Sequence, residues 1–388
     1  MTQRYENKAA PHIIFFLVDD WGYNDCGYQS SWLNWTTPNI DKLMQAGVRF
    51  THYYTHELCG PSRAALLTGR YAARFGMNGD TQDIVELPHS EFTLGQEMQS
   101  AGYRTNLIGK WHMGYSNWEQ TPTFRGFDYF YGYYGGEIDY WTKFNGPWLD
   151  LHEMEYVVND THALDITTHS AYLYEQKAEE VISKHAVNYP NTPMFLYYAS
   201  QLIHTSPSGT WQAPQHFIDR CALYVNTTHT NTNTLNAESY CALNLMLDEV
   251  IGNLTCALHT AGMYDNTLFV LVSDNGGVPT MSGNSWPFKG AKGSLYRGGE
   301  SVAGFMYGST SVIPAVSQGS SYDGVMHVTD WLPTLMNVAT NGAWNGSYKG
   351  QHWTGWTTGS HFSPMAHRKD MKFCIFSTHM ATSHTSIT

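Results

Sequence analysis

The chain alternates short, continuous apolar runs with segments of helical periodicity. The clearest runs of strand length are residues 12–18, 194–199 and 268–273. Helical spacing is strongest in residues 238–259, where Leu, Met, Val and Ile side chains fall on one face. Strands that are apolar along their whole length are buried on both sides. The pattern therefore predicts an α/β fold with helices on both faces of a mostly parallel sheet. Residues 113–170, rich in Gly, Tyr and Trp, are expected to hold little regular structure.

Polar side chains follow two of these apolar runs directly. Asp19 and Asp20 come after the first strand, and Asp274 and Asn275 come after the last. Either pair alone is also an ordinary start of a turn. In an open α/β sheet, however, sites form outside the carboxyl ends of the strands, so the two pairs are expected to converge. Oxygen ligands alone favour calcium or magnesium over zinc.

A second cluster of polar residues surrounds a cysteine. Cys59-Gly-Pro-Ser-Arg63 is followed by Thr68-Gly69-Arg70. Pro61 and Ser62 suit a helix start and Gly69 a helix end, which places Cys59 where the partial positive charge of a helix favours an anion. A lone cysteine before a helix is more often structural, so the position of Cys59 by itself does not establish a site.

Cys-x-Pro-Ser-Arg followed by Thr-Gly-Arg resembles the signature of the sulfatase family. The resemblance covers residues 11–340 and includes Gly102 to His112, Ser200 to His204, Asp274 to Gly277 and Trp286 to Gly299. It implies an alkaline-phosphatase-like α/β fold and a sulfuric ester hydrolase of arylsulfatase type. In that family a formylglycine-generating enzyme oxidises the cysteine to formylglycine. One hydroxyl of the hydrated aldehyde attacks sulfur, and the other later loses its proton so that sulfate is expelled.

The resemblance also implies a role for each matched residue. One calcium ion would be bound by Asp19, Asp20, Asp274, Asn275 and the formylglycine derived from Cys59. Lys110 and Lys292 would bind the sulfate and offset charge in the transition state. Arg63 would fix the formylglycine and the carboxylates around it. His112 would act as base on the diol, and His204 would serve the leaving alcohol as acid or hydrogen-bond donor.

Two phrases resemble the arylsulfatase B branch more closely, Thr121 to Asp128 and His327 to Thr334. They imply a sulfated N-acetylhexosamine, such as N-acetylgalactosamine-4-sulfate in dermatan or chondroitin sulfate, or else a small aryl sulfate, as substrate. Two alternatives stay open. A phosphoesterase of the same superfamily would normally carry Ser or Thr in place of Cys59. A binding-only pseudo-sulfatase would follow from a shortened C-terminus.

Charge and composition limit the kinds of binding partner that the chain can have. The formal net charge of −12 argues against a nucleic-acid partner, because such binding needs clustered Lys and Arg. No apolar run approaches the roughly 18 residues of a membrane span. Glycosylation sequons suggest a lysosomal or extracellular glycoprotein, although the first ten residues show no signal peptide. The sequons lie at Asn34, Asn159, Asn226, Asn253 and Asn345.

The six cysteines are too few for a disulfide scaffold, and none form a CxxC pair for zinc. Cys221 and Cys241 flank an Asn/Thr-rich stretch, and their spacing fits a disulfide and two free thiols equally well. The resemblance fades after residue 340. Residues 11–340 are therefore expected to form the catalytic domain. Residues 341–388 are expected to be an irregular remnant of the family's smaller C-terminal subdomain, with residues 360–388 loosely packed.

Overall fold

The computed structural model describes residues 10–77, 86–155, 161–162, 165–224, 234–344, 347–348 and 351–352. Strands β1 to β14 span, in chain order, His12–Val18, Val48–Tyr54, Arg104–Lys110, Tyr129–Tyr133, Phe144–Asn145, Trp148–Leu149, His152–Glu155, Thr161–His162, Met194–Ala199, Thr267–Ser273, Gly304–Tyr307, Ser320–His327, Ser347–Tyr348 and Gln351–His352. Helices α1 to α8 span Pro38–Ala46, Cys59–Thr68, Leu94–Ser100, Ser170–Asn188, Gln215–Ala222, Thr234–Thr260, Arg297–Glu300 and Trp331–Ala339. The predicted loose segment 360–388, Cys374 and the sequons at Asn159, Asn226 and Asn345 lie outside the described residues.

The main sheet has ten strands in the order β12-β2-β11-β10-β1-β9-β3-β4-β7-β8. Its central strands, from β10 to β4, are parallel to one another, whereas β11 and β7 join on either side in antiparallel orientation. The predicted mostly parallel α/β sheet is therefore confirmed. Val18 is paired with Ser273, and Leu17 is paired with Ala199. The residues that follow β1, β9 and β10 consequently emerge at the same edge of the sheet.

Two apolar cores fill the space between this sheet and its helices. Alternate residues of β1 face opposite cores, because successive side chains of a strand point to opposite faces. Phe15 packs with α2, α3 and α8, and its ring makes an edge contact with Trp331. Phe16 packs with α1, α4, α5 and α6, and its ring stacks on Tyr198. Burial on both faces explains why these strands are apolar along their whole length.

Local signals in the sequence set the ends of several helices. Pro38 stands in the first turn of α1, where its missing N–H is not needed. The side chain of Thr93 accepts a hydrogen bond from the Gln96 N–H, and the Gln96 side chain accepts one from the Thr93 N–H, so α3 begins with a capping box. Gly69 ends α2 with a φ of 62°, a conformation that glycine adopts without strain.

The prediction of little regular structure in residues 113–170 is wrong for β4. This strand pairs in parallel with β3, from Asn106↔Tyr129 to Lys110↔Tyr133. Its run Tyr-Phe-Tyr-Gly-Tyr lacks the aliphatic residues that mark the other buried strands. Aromatic rings pack well on a pleated surface, and Phe130 is fully buried there.

Cys221 and Cys241 form a disulfide, which joins α5 to α6 and resolves the alternative that their spacing left open. Among the described residues, one stretch of α6, Ala237–Thr260, is long and apolar enough to cross a membrane by length and composition alone. Its most apolar window is 67% buried inside the fold, as expected for the central helix of a core.

We expect the disulfide to stabilise the fold measurably. The double variant Cys221→Ala/Cys241→Ala should lower the free energy of unfolding by about 2–4 kcal/mol, because the unfolded chain regains the freedom of a closed loop. Urea unfolding measures this difference. Cys256→Ala is the matched control, since Cys256 is exposed and unpaired. Equal stability of the double variant and the control would show that the disulfide does not hold α5 on α6.

Candidate active site

The ends of β1 and β10 bring the two predicted polar pairs together. The Asp274 N–H donates to the carbonyl oxygen of Val18 at 3.0 Å, continuing the strand pairing. The Asp20 N–H donates to Oδ1 of Asp274 at 3.1 Å. All four side chains, including those of Asp19 and Asn275, are buried. The register of two parallel strands thus places three carboxylates and an amide in one pocket of the fold.

Cys59 is the first residue of α2, as predicted, and its sulfur faces the carboxylates. It lies 3.5 Å from Oδ1 of Asp19 and 3.9 Å from Oδ1 of Asp20. Burial raises the pKa of the Cys59 thiol well above its usual range, although Lys110 and Lys292 act in the opposite direction. The unmodified side chain is therefore a neutral thiol, and a neutral thiol is a poor nucleophile.

Arg63, one turn into α2, joins the ends of the two strands. Its Nε and Nη2 donate to Oδ2 of Asp274 at 3.1 and 2.8 Å. Nη2 also lies 3.4 Å from Oδ2 of Asp19. The guanidinium is fully buried, and its Nη1 has no hydrogen-bond partner within the described part of the chain. Arg63 therefore holds two carboxylates and keeps one further donor.

Two lysines neutralise the remaining negative charge. Lys110, at the end of β3, donates to Oδ2 of Asp19 at 2.7 Å, and Lys292 lies 2.6 Å from Oδ1 of Asp20. Burial alone would raise the pKa of Asp19, but Lys110 and Arg63 together hold it well below its usual range. Burial would also raise the pKa of Asp20, but the ammonium of Lys292 outweighs burial and lowers it. Carboxylates and cations are thus equal in number and interleaved.

The two predicted histidines have different surroundings. Nδ1 of His204 lies 2.8 Å from the carbonyl oxygen of Thr205, and Nε2 lies 3.2 Å from Nζ of Lys292. This geometry assigns the proton to Nδ1 and leaves Nε2 to accept from the lysine. His112 is buried, and burial together with Lys110 and Arg63 lowers its pKa well below the usual range. Its imidazole is therefore neutral, which is the form that a base requires, and the same burial and cations oppose its protonation.

Two of the predicted site residues have a strained backbone. Asp20 and His112 have φ values of 58° and 54°, in the left-handed region that residues other than glycine rarely adopt. Each such residue costs on the order of 1 kcal/mol and persists only where the surroundings enforce it. Each is the second residue after a strand of the central sheet, Asp20 after β1 and His112 after β3.

Comparison with known proteins decides the family. Residues 11–341 match the family model described as Sulfatase. The chain belongs to the sulfatase family. The predicted family and its alkaline-phosphatase-like fold are both confirmed, whereas the closer likeness to the arylsulfatase B branch stays a prediction.

Individual sulfatases match this chain with moderate sequence identity and partial coverage. Mouse arylsulfatase J is 36% identical over 341 residues, which are 85% of this chain and 53% of that protein. Human N-acetylgalactosamine-6-sulfatase is 30% identical over 310 residues, 74% of this chain and 55% of that protein. A crystal structure of Ps i-CgsB in complex with k-i-k-neocarrahexaose is 29% identical, with a TM-score of 0.71 over 85% of this chain and 72% of that one. The chain thus spans about half the length of the curated relatives that it matches.

Four side chains of this site could together hold a metal ion. Asp19, Asp20, Cys59 and His204 offer ligand atoms that all lie within 4.8 Å of one another. Asn275 donates its Nδ2 to Oδ1 of Asp20 at 2.8 Å, and its own Oδ1 is buried without a hydrogen-bond partner among the described residues. A buried amide oxygen without a donor is suited to a metal ion. Asp274 is not in the group of four, and its carboxylate accepts hydrogen bonds from Arg63 and the Asp20 N–H.

Sequence reasoning missed two residues that surround His204. The hydroxyl of Tyr140 donates to the carbonyl oxygens of Gln201 and His204 at 2.9 and 2.8 Å. Oε2 of Glu137 lies 3.9 Å from Nδ1 of His204. Both lie in the aromatic and Gly-rich stretch that has no periodic pattern, so no signal of spacing could have identified them.

We expect Arg63 to be essential for stability as well as for geometry. Arg63→Met should lower the free energy of unfolding by about 3–5 kcal/mol, because it leaves two buried carboxylates without their guanidinium. Lys184→Met is the control: it removes an exposed ion pair with Glu180 and should change stability by no more than about 1 kcal/mol. Urea unfolding of both variants gives the comparison. Similar losses in both would contradict the central position of Arg63.

Proposed function

We propose that this sulfatase hydrolyses the sulfate ester of a sulfated sugar, using formylglycine derived from Cys59 and one calcium ion. The position of Cys59 carries the proposal. Its sulfur lies at the N-terminus of α2, beside Asp19 and Asp20, and these carboxylates are contacted in turn by Lys110 and Lys292. A nucleophile formed at residue 59 would therefore stand between cation ligands and two ammonium groups, a setting suited to an anionic ester.

The proposed ligands of the calcium ion are Asp19, Asp20, Asp274, Asn275 and the oxidised residue 59. When bound, the ion would polarise a hydroxyl of residue 59 and attract the sulfate oxygens. The buried Oδ1 of Asn275 supports this ligand set, as does the proximity of Cys59 to two carboxylates. Oxygen ligands alone favour calcium or magnesium over zinc.

The remaining side chains are proposed to handle charge and protons. Lys110 and Lys292 would bind the sulfate, and Arg63 would fix the carboxylates and residue 59. His112, neutral because it is buried next to cations, would take a proton from the diol. His204 would have to carry protons on both ring nitrogens to protonate the leaving alcohol, because Nδ1 is already committed to the Thr205 carbonyl. Its acid form is therefore the imidazolium.

The proposed substrate is a sulfated N-acetylhexosamine, in agreement with the arylsulfatase B likeness of the sequence. A relative named N-acetylgalactosamine-6-sulfatase and a sulfatase-fold structure with bound k-i-k-neocarrahexaose support a carbohydrate ester. Fold alone does not determine the substrate, so a small aryl sulfate is the practical test compound. Residues 11–340 are proposed as the catalytic domain.

Maturation is proposed to occur in the secretory pathway, where the formylglycine-generating enzyme would be a transient partner, with a lysosomal or extracellular destination. The sequon at Asn34 is exposed in the fold and is compatible with a glycan. The amide of Asn253 instead donates to Glu175 at 2.5 Å, between α6 and α4. Glycosylation is therefore proposed at Asn34 in preference to Asn253.

Cys59→Ser should reduce turnover of an aryl sulfate by at least about 1,000-fold, because a single hydroxyl cannot expel sulfate by re-forming a carbonyl. The assay uses protein made together with the formylglycine-generating enzyme, and circular dichroism checks the fold. Cys256→Ser, at an exposed free cysteine, should retain full activity. Near-normal sulfate release by Cys59→Ser would contradict the formylglycine mechanism, and efficient release of phosphate instead would favour the phosphoesterase.

Asp274→Ala should lose bound metal and activity together, with activity falling by more than about 100-fold. Elemental analysis of the purified protein should find calcium or magnesium before the substitution and much less afterwards. Asp265→Ala is the control, because Asp265 is an exposed acidic residue just before β10. Zinc in the active protein, or an inactive Asp274→Ala that keeps its metal, would show that the proposed ligand set is wrong.

A further inference from the structure

Asp25 is a buried carboxylate that the proposed mechanism does not use. Its side chain is fully buried and accepts hydrogen bonds from three donors. The Gly22 N–H donates to Oδ2 at 2.8 Å, and the Asn284 N–H is shared between Oδ1 and Oδ2 at 3.0 Å each. The Tyr240 hydroxyl donates to Oδ2 at 2.5 Å. Every one of these donors is itself in the interior or close to it, so removal of the carboxylate would leave them unsatisfied.

The donors come from three segments that are distant in the sequence. Gly22 belongs to the loop after β1, which also carries Asp20. Asn284 belongs to the long loop between β10 and α7, and Tyr240 belongs to α6. A further bond, from the Asn24 N–H to the Asn284 carbonyl oxygen at 2.8 Å, ties the two loops together next to Asp25. Asp25 therefore fastens two site-bearing loops to each other and to a core helix.

Close backbone contacts show how tightly the two loops are packed where they meet at Asp25, a place called the junction below. A Cβ on Gly22 would lie 2.5 Å from the Asn284 carbonyl oxygen and 2.7 Å from Oδ2 of Asp25. A Cβ on Gly277 would lie 3.0 Å from both the Asn284 nitrogen and Oδ2 of Asp25. Only glycine fits at Gly22 without a shift of the backbone.

Lys292 is attached to this junction through its own backbone. The Lys292 N–H donates to the carbonyl oxygen of Gly277 at 3.1 Å. Gly277 lies against Asp25, and Nζ of Lys292 lies 2.6 Å from Asp20. A lysine side chain has many rotamers, so the position of its ammonium depends on how firmly its backbone is held.

We infer that Asp25 is a positioning residue, which holds the backbone of Lys292 so that its ammonium stays against Asp20. The inference rests on the proposed function, in which Lys292 binds the sulfate. Asp25 itself is not expected to touch the substrate, because its side chain is fully buried and its oxygens are engaged by Gly22, Asn284 and Tyr240. A residue with a purely structural role would instead stabilise the fold without any particular dependence on Lys292.

A double-mutant cycle separates these two roles. Asp25→Asn should lower kcat/KM for an aryl sulfate by about 10- to 100-fold, because small displacements of a charged group at a reacting centre have effects of that size. In a Lys292→Ala background the same substitution should lower kcat/KM by less than about threefold, since the group that Asp25 positions is already absent. Tyr240→Phe, which removes one donor and leaves the carboxylate in place, should give a smaller loss with the same dependence on Lys292.

Equal losses in both backgrounds would overturn the inference and leave Asp25 as a structural residue only. A crystal structure of Asp25→Asn gives a readout that does not need turnover: Nζ of Lys292 should move beyond about 4 Å from the Asp20 carboxylate. An unchanged Lys292–Asp20 contact would also overturn the inference. If Asp25→Asn does not fold, the Tyr240→Phe cycle decides alone. Failure of the unsubstituted protein to hydrolyse any sulfate ester would instead contradict the proposed function, and the crystallographic distance would still test the positioning.

Discussion

The contact of Arg63 with Asp274 and Asp19 is the interaction on which the rest of the site depends. Three carboxylates cannot be buried together unless cations compensate them, since the desolvation of each charge is costly. Arg63 binds two of them from the first turns of α2, and the same helix starts with Cys59. The side chain that compensates the charge and the side chain proposed to become the nucleophile are thus fixed by one short, fully buried helix. The register of β1 and β10 places the carboxylates together, and α2 places Cys59 and Arg63 against them.

Much of this arrangement was predictable because it depends on patterns that are local in sequence. Apolar runs identified β1, β9 and β10, and polar pairs directly after β1 and β10 indicated a site at the sheet edge. Gly69 marked the end of α2 correctly. Even the position of Cys59 followed from Pro61 and Gly69, because a helix start and a helix end can be read from single residues.

The rest depends on contacts between distant segments, for which the sequence gives no local signal. β4 was missed because its aromatic residues lack the aliphatic pattern of a central strand. The left-handed backbone of Asp20 and His112 is imposed by the fold and could not be predicted from the residue types. Tyr140 and Asp25 act through hydrogen bonds to backbone groups far along the chain. The matched site residues were identified by resemblance, but how Arg63, Lys110 and Lys292 pair with individual carboxylates could only come from the structure.

The proposed mechanism depends most directly on the chemical state of residue 59. In the fold its thiol is neutral and buried beside two carboxylates, so cysteine itself offers little reactivity. The decisive measurement is the mass of the peptide containing residue 59, from protein made in the secretory pathway and digested without reduction of aldehydes. The proposed mechanism requires the mass of formylglycine, together with reaction of that peptide with an aldehyde-specific reagent. A peptide that carries only unmodified cysteine, in protein that nevertheless hydrolyses sulfate esters, would contradict it.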